Sequence, residues 1–284
     1  MNLALQIALV IVSIVLLWKG ADFFVDSAVR IAKSLNISDL VIGLTLVAFG
    51  TSAPEFAVSI GAAVTGRGTM SIGNVIGSNV FNLGIILGSC AAIRAIPTSR
   101  KLVTRDGVFL LAVVIVLAVM MSDGDLGRIE GLALVAILIG YLGYQFIGKE
   151  SDEDIVTDGE SATWRDGPLS VLGLVLILAG AHLLVNSASE LARGFGLSEW
   201  AISVTIVAAG TSAPELVTSL NAALKGRFGL SAGNLIGSDL FNMLGVLGVT
   251  AGITPLPVEA ATRTSIWITV GSGALVVFFL RTGW

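Results

Sequence analysis

Thr51-Ser52-Ala53-Pro54-Glu55 recurs, residue for residue, as Thr211-Ser212-Ala213-Pro214-Glu215, 160 positions further along the chain. The match extends outward at that same shift. Upstream, Gly20-Ala21 pairs with Gly180-Ala181 and Ser27-Ala28 with Ser187-Ala188. Downstream, Gly66-Arg67 pairs with Gly226-Arg227, and the run Gly73 to Asn82 with the run Gly233 to Asn242. From 20–90 onto 180–250 the alignment needs no gap, and close to half of its positions are identical. Agreement of this kind is duplication of a structural unit.

What surrounds the repeat sets the class. The chain has 284 residues, of which 55% are hydrophobic and 13% charged, with a mean hydropathy of +0.92. A soluble domain carries about 25% charged residues, so this surface is not built for water. Long apolar runs cover Leu3 to Trp18, Leu102 to Met121, Leu132 to Phe146 and Leu169 to Val185. Each approaches the ~20 residues a helix needs to cross hydrocarbon. The single cysteine, Cys90, excludes an intramolecular disulfide and reads as a small apolar packer. A net charge of −4 without a basic patch gives no reason to expect nucleic acid. The first segment has no positive n-region, so it reads as a retained span rather than a signal peptide.

The expected fold is an all-α polytopic membrane protein. Spans are predicted near 3–19, 39–65, 70–93, 103–121 and 127–147, then near 168–187, 200–224, 229–253 and 264–281. Residues 1–147 form a first repeat of five helices and 168–284 a second of four. Residues 148–167 form an acidic, solvated cytoplasmic linker with no regular calcium-loop pattern. Five spans before the linker make the second copy enter from the opposite side, so the repeats are inverted. Loop charges agree with an N-terminus outside: twelve Lys and Arg fall on the cytoplasmic side, Lys19, Arg30 and Lys33 among them, against four outside. Trp18, Trp164 and Trp200 fall near the predicted interfaces. The second copy has no counterpart of 127–147.

Each copy carries one glutamate inside an apolar stretch, Glu55 and Glu215. A carboxylate at bilayer depth costs at least about 2.5 kcal/mol, which marks it as a functional group by default. Pro54 lacks an N–H and crowds the carbonyl of Gly50, so carbonyls near Ala48 and Phe49 are expected to be loosened from the helix. Thr51 and Ser52 precede Glu55 by four and three positions and are expected to share its face. Asn74, Ser78 and Asn82 line one face of the next span at four-residue spacing, and Asn234, Ser238 and Asn242 repeat that stripe. Gly73 with Gly77, and Gly233 with Gly237, permit close helix approach. All these donors are hard oxygens, which suit Ca²⁺ or Na⁺ rather than Zn²⁺ or Cu⁺. Two glutamates balance one Ca²⁺; two or three Na⁺, or two protons, compete for the same place.

These segments resemble the paired alpha-repeats of the calcium/cation antiporter superfamily, and most closely its sodium/calcium exchanger branch. The resemblance implies a ten-helix fold, of which this chain has nine predicted spans, and alternating access by sliding of the first and sixth helices. It implies no cofactor and no enzymatic activity. The metal site it implies comprises Ala48 (by its carbonyl), Thr51, Ser52, Glu55, Ser78 and Asn82, with Ala208, Thr211, Ser212, Glu215, Ser238 and Asn242. Some members carry an aspartate at the position of Asn242. Here Asp239 instead replaces the counterpart of Asn79, about 100° off the ligand face, and is expected to be peripheral. His182 and Asn186, which align with Asp22 and Asp26, are read as interfacial polar positions. The reading that follows is a Ca²⁺/Na⁺ antiporter of the cell membrane, with the bilayer and its transported ions as partners and no obligate protein partner. A H⁺/Ca²⁺ antiporter of the same fold is the alternative, and a cation channel a more distant one.

Overall fold

The computed structural model describes residues 3–93, 100–147, 162–198, 202, 205–206 and 208–282. Residues 148–161 of the predicted linker 148–167, Trp200 and the start of the span near 200–224 lie outside the described residues, and the end of that linker, from Asp166, is already helix. The first half folds as α1 (Leu3–Ser34), α2 (Asp39–Thr51), α3 (Ala53–Val64), α4 (Gly68–Ile93), α5 (Leu102–Asp123) and α6 (Arg128–Ile147). The second half folds as α7 (Asp166–Gly194), α8 (Ala208–Thr211), α9 (Ala213–Leu224), α10 (Phe228–Ile253) and α11 (Ala260–Thr282). Among the described residues, six helices are long and apolar enough to cross a membrane, or seven if the bent pair α2–α3 is one span. The chain is an integral membrane protein built of helices.

α1 departs from its predicted span. It continues past Lys19 to Ser34, 32 residues in all. That is about 48 Å of helix, longer than the ~30 Å hydrocarbon core. Gly20, Ala21, Phe24, Val25, Ala28 and Ala32 keep the helical period beyond Lys19 and are buried. Lys19 itself is inside the helix, exposed, and 3.8 Å from Asp22. The charges that looked like a span boundary are matched across the helix surface: Lys225 at the end of α9 lies 3.1 Å from Asp22 and 2.7 Å from Asp26. Asn36, at φ 53°, ends the helix in the left-handed region. α7 is likewise longer than its predicted 168–187.

α1 and α7 pack along one another through glycines. A Cβ on Gly20 would stand 2.8 Å from the Gly173 carbonyl, and one on Gly180 would stand 3.0 Å from the Ser13 carbonyl. Under the 160-residue shift these two contacts are each other's images. α1 and α7 are the outer pair, whereas α10 is the centre: 83% of its apolar window is buried, against 22% for α1. Gly233 and Gly237 let α10 sit directly on α2, where a Cβ would come within 2.6 Å of the Leu40 carbonyl and 2.7 Å of Ala48. The same spacing in α4 does not act this way among the described residues, since a Cβ on Gly73 or Gly77 meets nothing within 4 Å.

Many large apolar side chains, such as Ile7, Ile11, Val15, Leu172 and Val175, stand on the outer surface. On a membrane protein that face meets lipid. A short antiparallel ribbon, which apolar periodicity does not reveal, joins two loops. β1 (Asp125–Leu126) pairs with β2 (Leu256–Pro257), and Val258 donates its N–H to the Gly124 carbonyl at 2.9 Å. Gly124 turns the chain there at φ 113°. Trp18 and Trp164 are both exposed.

Candidate ion-binding site

The repeated Thr-Ser-Ala-Pro-Glu segments are helix breaks. Between α2 and α3, Ser52 sits at φ −77°, ψ 5°; between α8 and α9, Ser212 sits at φ −89°, ψ 9°. Pro54 and Pro214 occupy the first turn of the following helix, where a missing N–H costs nothing. The first break bends the span by 47°. Glu55 and Glu215 therefore lie in the first turns of α3 and α9, at the positive ends of two helix dipoles. Backbone broken at membrane depth is tolerated where it is buried in protein or lines a cavity.

Both carboxylates are fully buried. Glu55 Oε1 accepts Ser78 Oγ from α4 and Ser212 Oγ from the second copy, each at 3.4 Å. Glu215 Oε1 accepts Ser52 Oγ from the first copy at 3.3 Å. The expectation that Ser52 shares the face of its own Glu55 is thus corrected. Three-residue spacing holds on a continuous helix, and the chain breaks at Ser52 itself, so the hydroxyl turns to the glutamate of the other copy. Thr51 also crosses over. Its Oγ1 lies 3.1 Å from Asn234 Oδ1 and 3.3 Å from Ser238 Oγ.

The carbonyl of Ala48 is not loosened as expected. It accepts the Ser52 N–H at 3.1 Å and Thr51 Oγ1 at 3.4 Å. The proline removes its donor from a later position, so the turn ending at Ser52 keeps its own bond. Ala208 opens α8 at the matching level. Thr211 is half-buried, while Thr51, Ser52, Ser212, Ser238, Asn82 and Asn242 are buried.

Asn74 and Asn234 stand apart from the glutamates. Asn74 Nδ2 donates to Ser59 Oγ at 3.1 Å and Asn234 Nδ2 to Ser219 Oγ at 2.9 Å. Within each copy this pair pins the helix after the break to the next span. Ser59 and Ser219 escaped notice in the sequence, although both fall four residues after the glutamate in a duplicated segment. Near Asn82 the helices widen into π-turns, at Asn82–Ile86 in α4 and Phe241–Val246 in α10. Such turns gather at functional sites.

Asp239 is not peripheral. It is fully buried, and its Oδ1 accepts Asn82 Nδ2 at 3.0 Å. The twin contact has Asn242 Nδ2 donating to Asn79 Oδ1 at 3.1 Å. The off-face angle that suggested a peripheral place is real, but it points Asp239 at the other copy rather than away from the protein. His182 and Asn186 bond one another at 2.9 Å on the exposed face of α7.

One oxygen of each glutamate makes no hydrogen bond: Glu55 Oε2 and Glu215 Oε2. The same holds for Asn82 Oδ1 and Asn242 Oδ1. Each is an acceptor, and a buried polar atom without a partner costs about 1–3 kcal/mol. Acceptors in this state are complementary to a cation. Among the described residues no three of His, Cys, Asp or Glu gather into a cluster, so the oxygens on offer are carboxylate, hydroxyl and amide together. That mixture suits a hard cation that must also leave.

A membrane-length helix pair broken around buried oxygens, with the same break repeated in the second copy, is the architecture of helical secondary-active ion transporters. A family model described as Sodium/calcium exchanger protein matches residues 5–147 and 168–283. The chain is 39% identical to CaxA of Alkalimonas amylolytica, named a putative antiporter, over 96% of this chain and 89% of that one. It is 31% identical to the sodium/calcium exchanger MaX1 of Methanosarcina acetivorans, over 97% and 91%. The solved structure of the sodium-calcium exchanger NCX_Mj soaked with zero Na⁺ and Ca²⁺ superposes with a TM-score of 0.87 at 33% identity, covering 99% of this chain and 92% of that one. The chain belongs to the sodium/calcium exchanger family, and its class is that of the cation/Ca²⁺ antiporters.

Proposed function

We propose that the protein exchanges Ca²⁺ for Na⁺ by alternating access at one central site, with Glu55 and Glu215 as the charged ligands. The reciprocal pair of buried carboxylates, each bonded by a serine of the opposite copy, carries this reading. Thr51, Ser78 and Asn82, with Thr211, Ser238 and Asn242, complete the site in neutral oxygens. Ala48 and Ala208 contribute carbonyls only when the break opens. Two carboxylates balance one Ca²⁺ or two Na⁺, so the two ions compete for one place. An empty site holding two buried charges is costly to carry past the barrier. The protein therefore changes access only when loaded, which couples the two fluxes.

In this reading the copies are inverted repeats related by an axis in the membrane plane, and they supply nine spans, five and then four. The outer pair α1 and α7 slides against the core that holds the site. The N-terminus faces outward and the protein resides in the cell membrane, acting without a protein partner. MaX1 and NCX_Mj, named as sodium/calcium exchangers, support the choice of Na⁺ as counter-ion.

The test is Ca²⁺ uptake into proteoliposomes driven by an outward Na⁺ gradient at constant pH. Uptake that follows the Na⁺ gradient is expected. Uptake under a pH gradient alone, with none under Na⁺, would transfer the function to proton coupling. Flux that proceeds with no counter-ion on the far side would make the protein a channel.

A further inference from the structure

The two copies agree at every candidate ligand, yet beside Ser78 and Ser238 they differ in an ionisable group. Where the first copy has Asn79, the second has Asp239. We propose that Asp239 is a positioning residue of the ion site, one that turns the amide oxygens of Asn82 and Asn242 towards the ion and favours divalent over monovalent cargo. The inference rests on the site reading above and adds a residue to it.

The geometry runs through two atoms of Asp239. Its carboxylate Oδ1 accepts Asn82 Nδ2 at 3.0 Å, and its main-chain carbonyl accepts Asn79 Nδ2 at 3.3 Å. Asn79 in turn uses its Oδ1 to accept Asn242 Nδ2 at 3.1 Å. As the acceptor of its bond, Asp239 Oδ1 faces the NH₂ end of Asn82. Likewise a carbonyl only accepts, which holds Asn79 with its oxygen towards Asn242. Both ligand asparagines are left with Oδ1 buried and without a hydrogen bond. One residue therefore sets the polarity of both amides, directly on one side and through Asn79 on the other.

An asparagine at 239 would lose the direct constraint, because an amide can offer either end to Asn82. An amide oxygen held towards the ion attracts it as a dipole, and that attraction scales with the charge of the ion, so Ca²⁺ gains more from the orientation than Na⁺. The 160-residue shift makes positions 79 and 239 twins, so an acid at 79 can do for Asn242 what Asp239 does for Asn82.

The experiment uses the full chain purified in detergent, with ion binding read as the midpoint of the ion-dependent rise in thermal unfolding temperature. Ca²⁺ and Na⁺ are titrated separately. Loss of a group that orients a metal ligand costs 10- to 100-fold in metal affinity. Asp239→Asn is accordingly expected to weaken Ca²⁺ by about 10-fold or more and Na⁺ by less, so the ratio of the two midpoints falls. The exchange Asn79→Asp with Asp239→Asn is expected to recover most of the Ca²⁺ affinity. An Asp239→Asn variant with wild-type Ca²⁺ affinity, or one weakened for both ions alike, overturns the proposal. So does a folded exchange variant that recovers nothing, because the acid would then serve only the packing at 239. If Asp239→Asn does not fold, the exchange variant decides alone by the same criterion. Failure of the site reading shows separately, as undiminished Ca²⁺ binding in Glu215→Gln. Failure of Na⁺ coupling shows separately, as a parent protein without a Na⁺ midpoint, and the Ca²⁺ affinities of Asp239→Asn and of the exchange variant then decide.

Discussion

Ser52 of the first copy donates its hydroxyl to Glu215 of the second, at 3.3 Å, and not to the glutamate three residues ahead of it. Ser212 repays the contact on Glu55 at 3.4 Å. The carboxylates are thus cross-braced, and neither copy builds its half of the site alone. Each serine sits at the residue where the backbone breaks, so a bond across the site is also a bond between two hinges.

Removing either brace is expected to act on the ion rather than on the fold. A hydrogen bond to a charged group contributes about 1.5–3 kcal/mol. Ser52→Ala and Ser212→Ala should each weaken Ca²⁺ by about 10- to 100-fold, and by similar factors, because the contacts are reciprocal. Ca²⁺ titration of the purified variants measures both. A large effect from one serine and none from the other is incompatible with cross-bracing.

Glu55→Gln and Glu215→Gln keep the shape and remove the charge. Each is expected to abolish Ca²⁺ exchange in proteoliposomes while the protein still inserts and elutes as the wild type does. Ca²⁺ transport preserved in either variant would defeat the assignment of that glutamate.

The outer helices offer a purely steric prediction. On Gly173 a Cβ would stand 2.6 Å from the Phe24 N–H nitrogen, which belongs to backbone and cannot step aside. Gly173→Ala should push α7 from α1 and lower stability by about 1–3 kcal/mol, the usual cost of overpacking. Gly140→Ala in α6 meets nothing within 4 Å and serves as the control. Relative to glycine, alanine favours a helix, so that variant should melt no lower than the parent. Equal melting temperatures for the two variants would remove the close contact from the account.

Much of this was legible in the sequence because duplication is a pattern that needs no coordinates. The constant shift singled out Glu55, Glu215, Ser78 and Asn82, and all of them are buried. What resisted reading has two physical causes. Spacing rules assume an unbroken helix, so they place Ser52 on the face of Glu55 at the very position where the break occurs. They also describe one helix at a time, so Asp239 looked peripheral when it faces Asn82 across the contact between copies. Charges misled in the same way at α1. Lys19, Asp22 and Asp26 resemble a loop until Lys225 arrives from α9 to neutralise the acids.

Asp106 tests whether burial of an acid is enough to implicate it in transport. It is fully buried, like Glu55, but every requirement of its charge is met. Arg105 grips it with two bonds of 2.9 Å, Tyr141 donates its hydroxyl at 3.0 Å, and Gln145 donates Nε2 at 2.9 Å. No oxygen of Asp106 is left without a hydrogen bond, so it has nothing to offer a cation. Its partners lie at the start of α5 and near the end of α6, which it ties together. Asp106→Ala would strand the arginine and two polar groups, and breaking such a buried pair costs about 3–5 kcal/mol. The expected result is a large fall in melting temperature with Ca²⁺ and Na⁺ midpoints unchanged in the protein that remains folded. A shifted Ca²⁺ midpoint would mean that a fully satisfied acid still reaches the ion, and that an unbonded oxygen is the wrong mark by which to recognise the site.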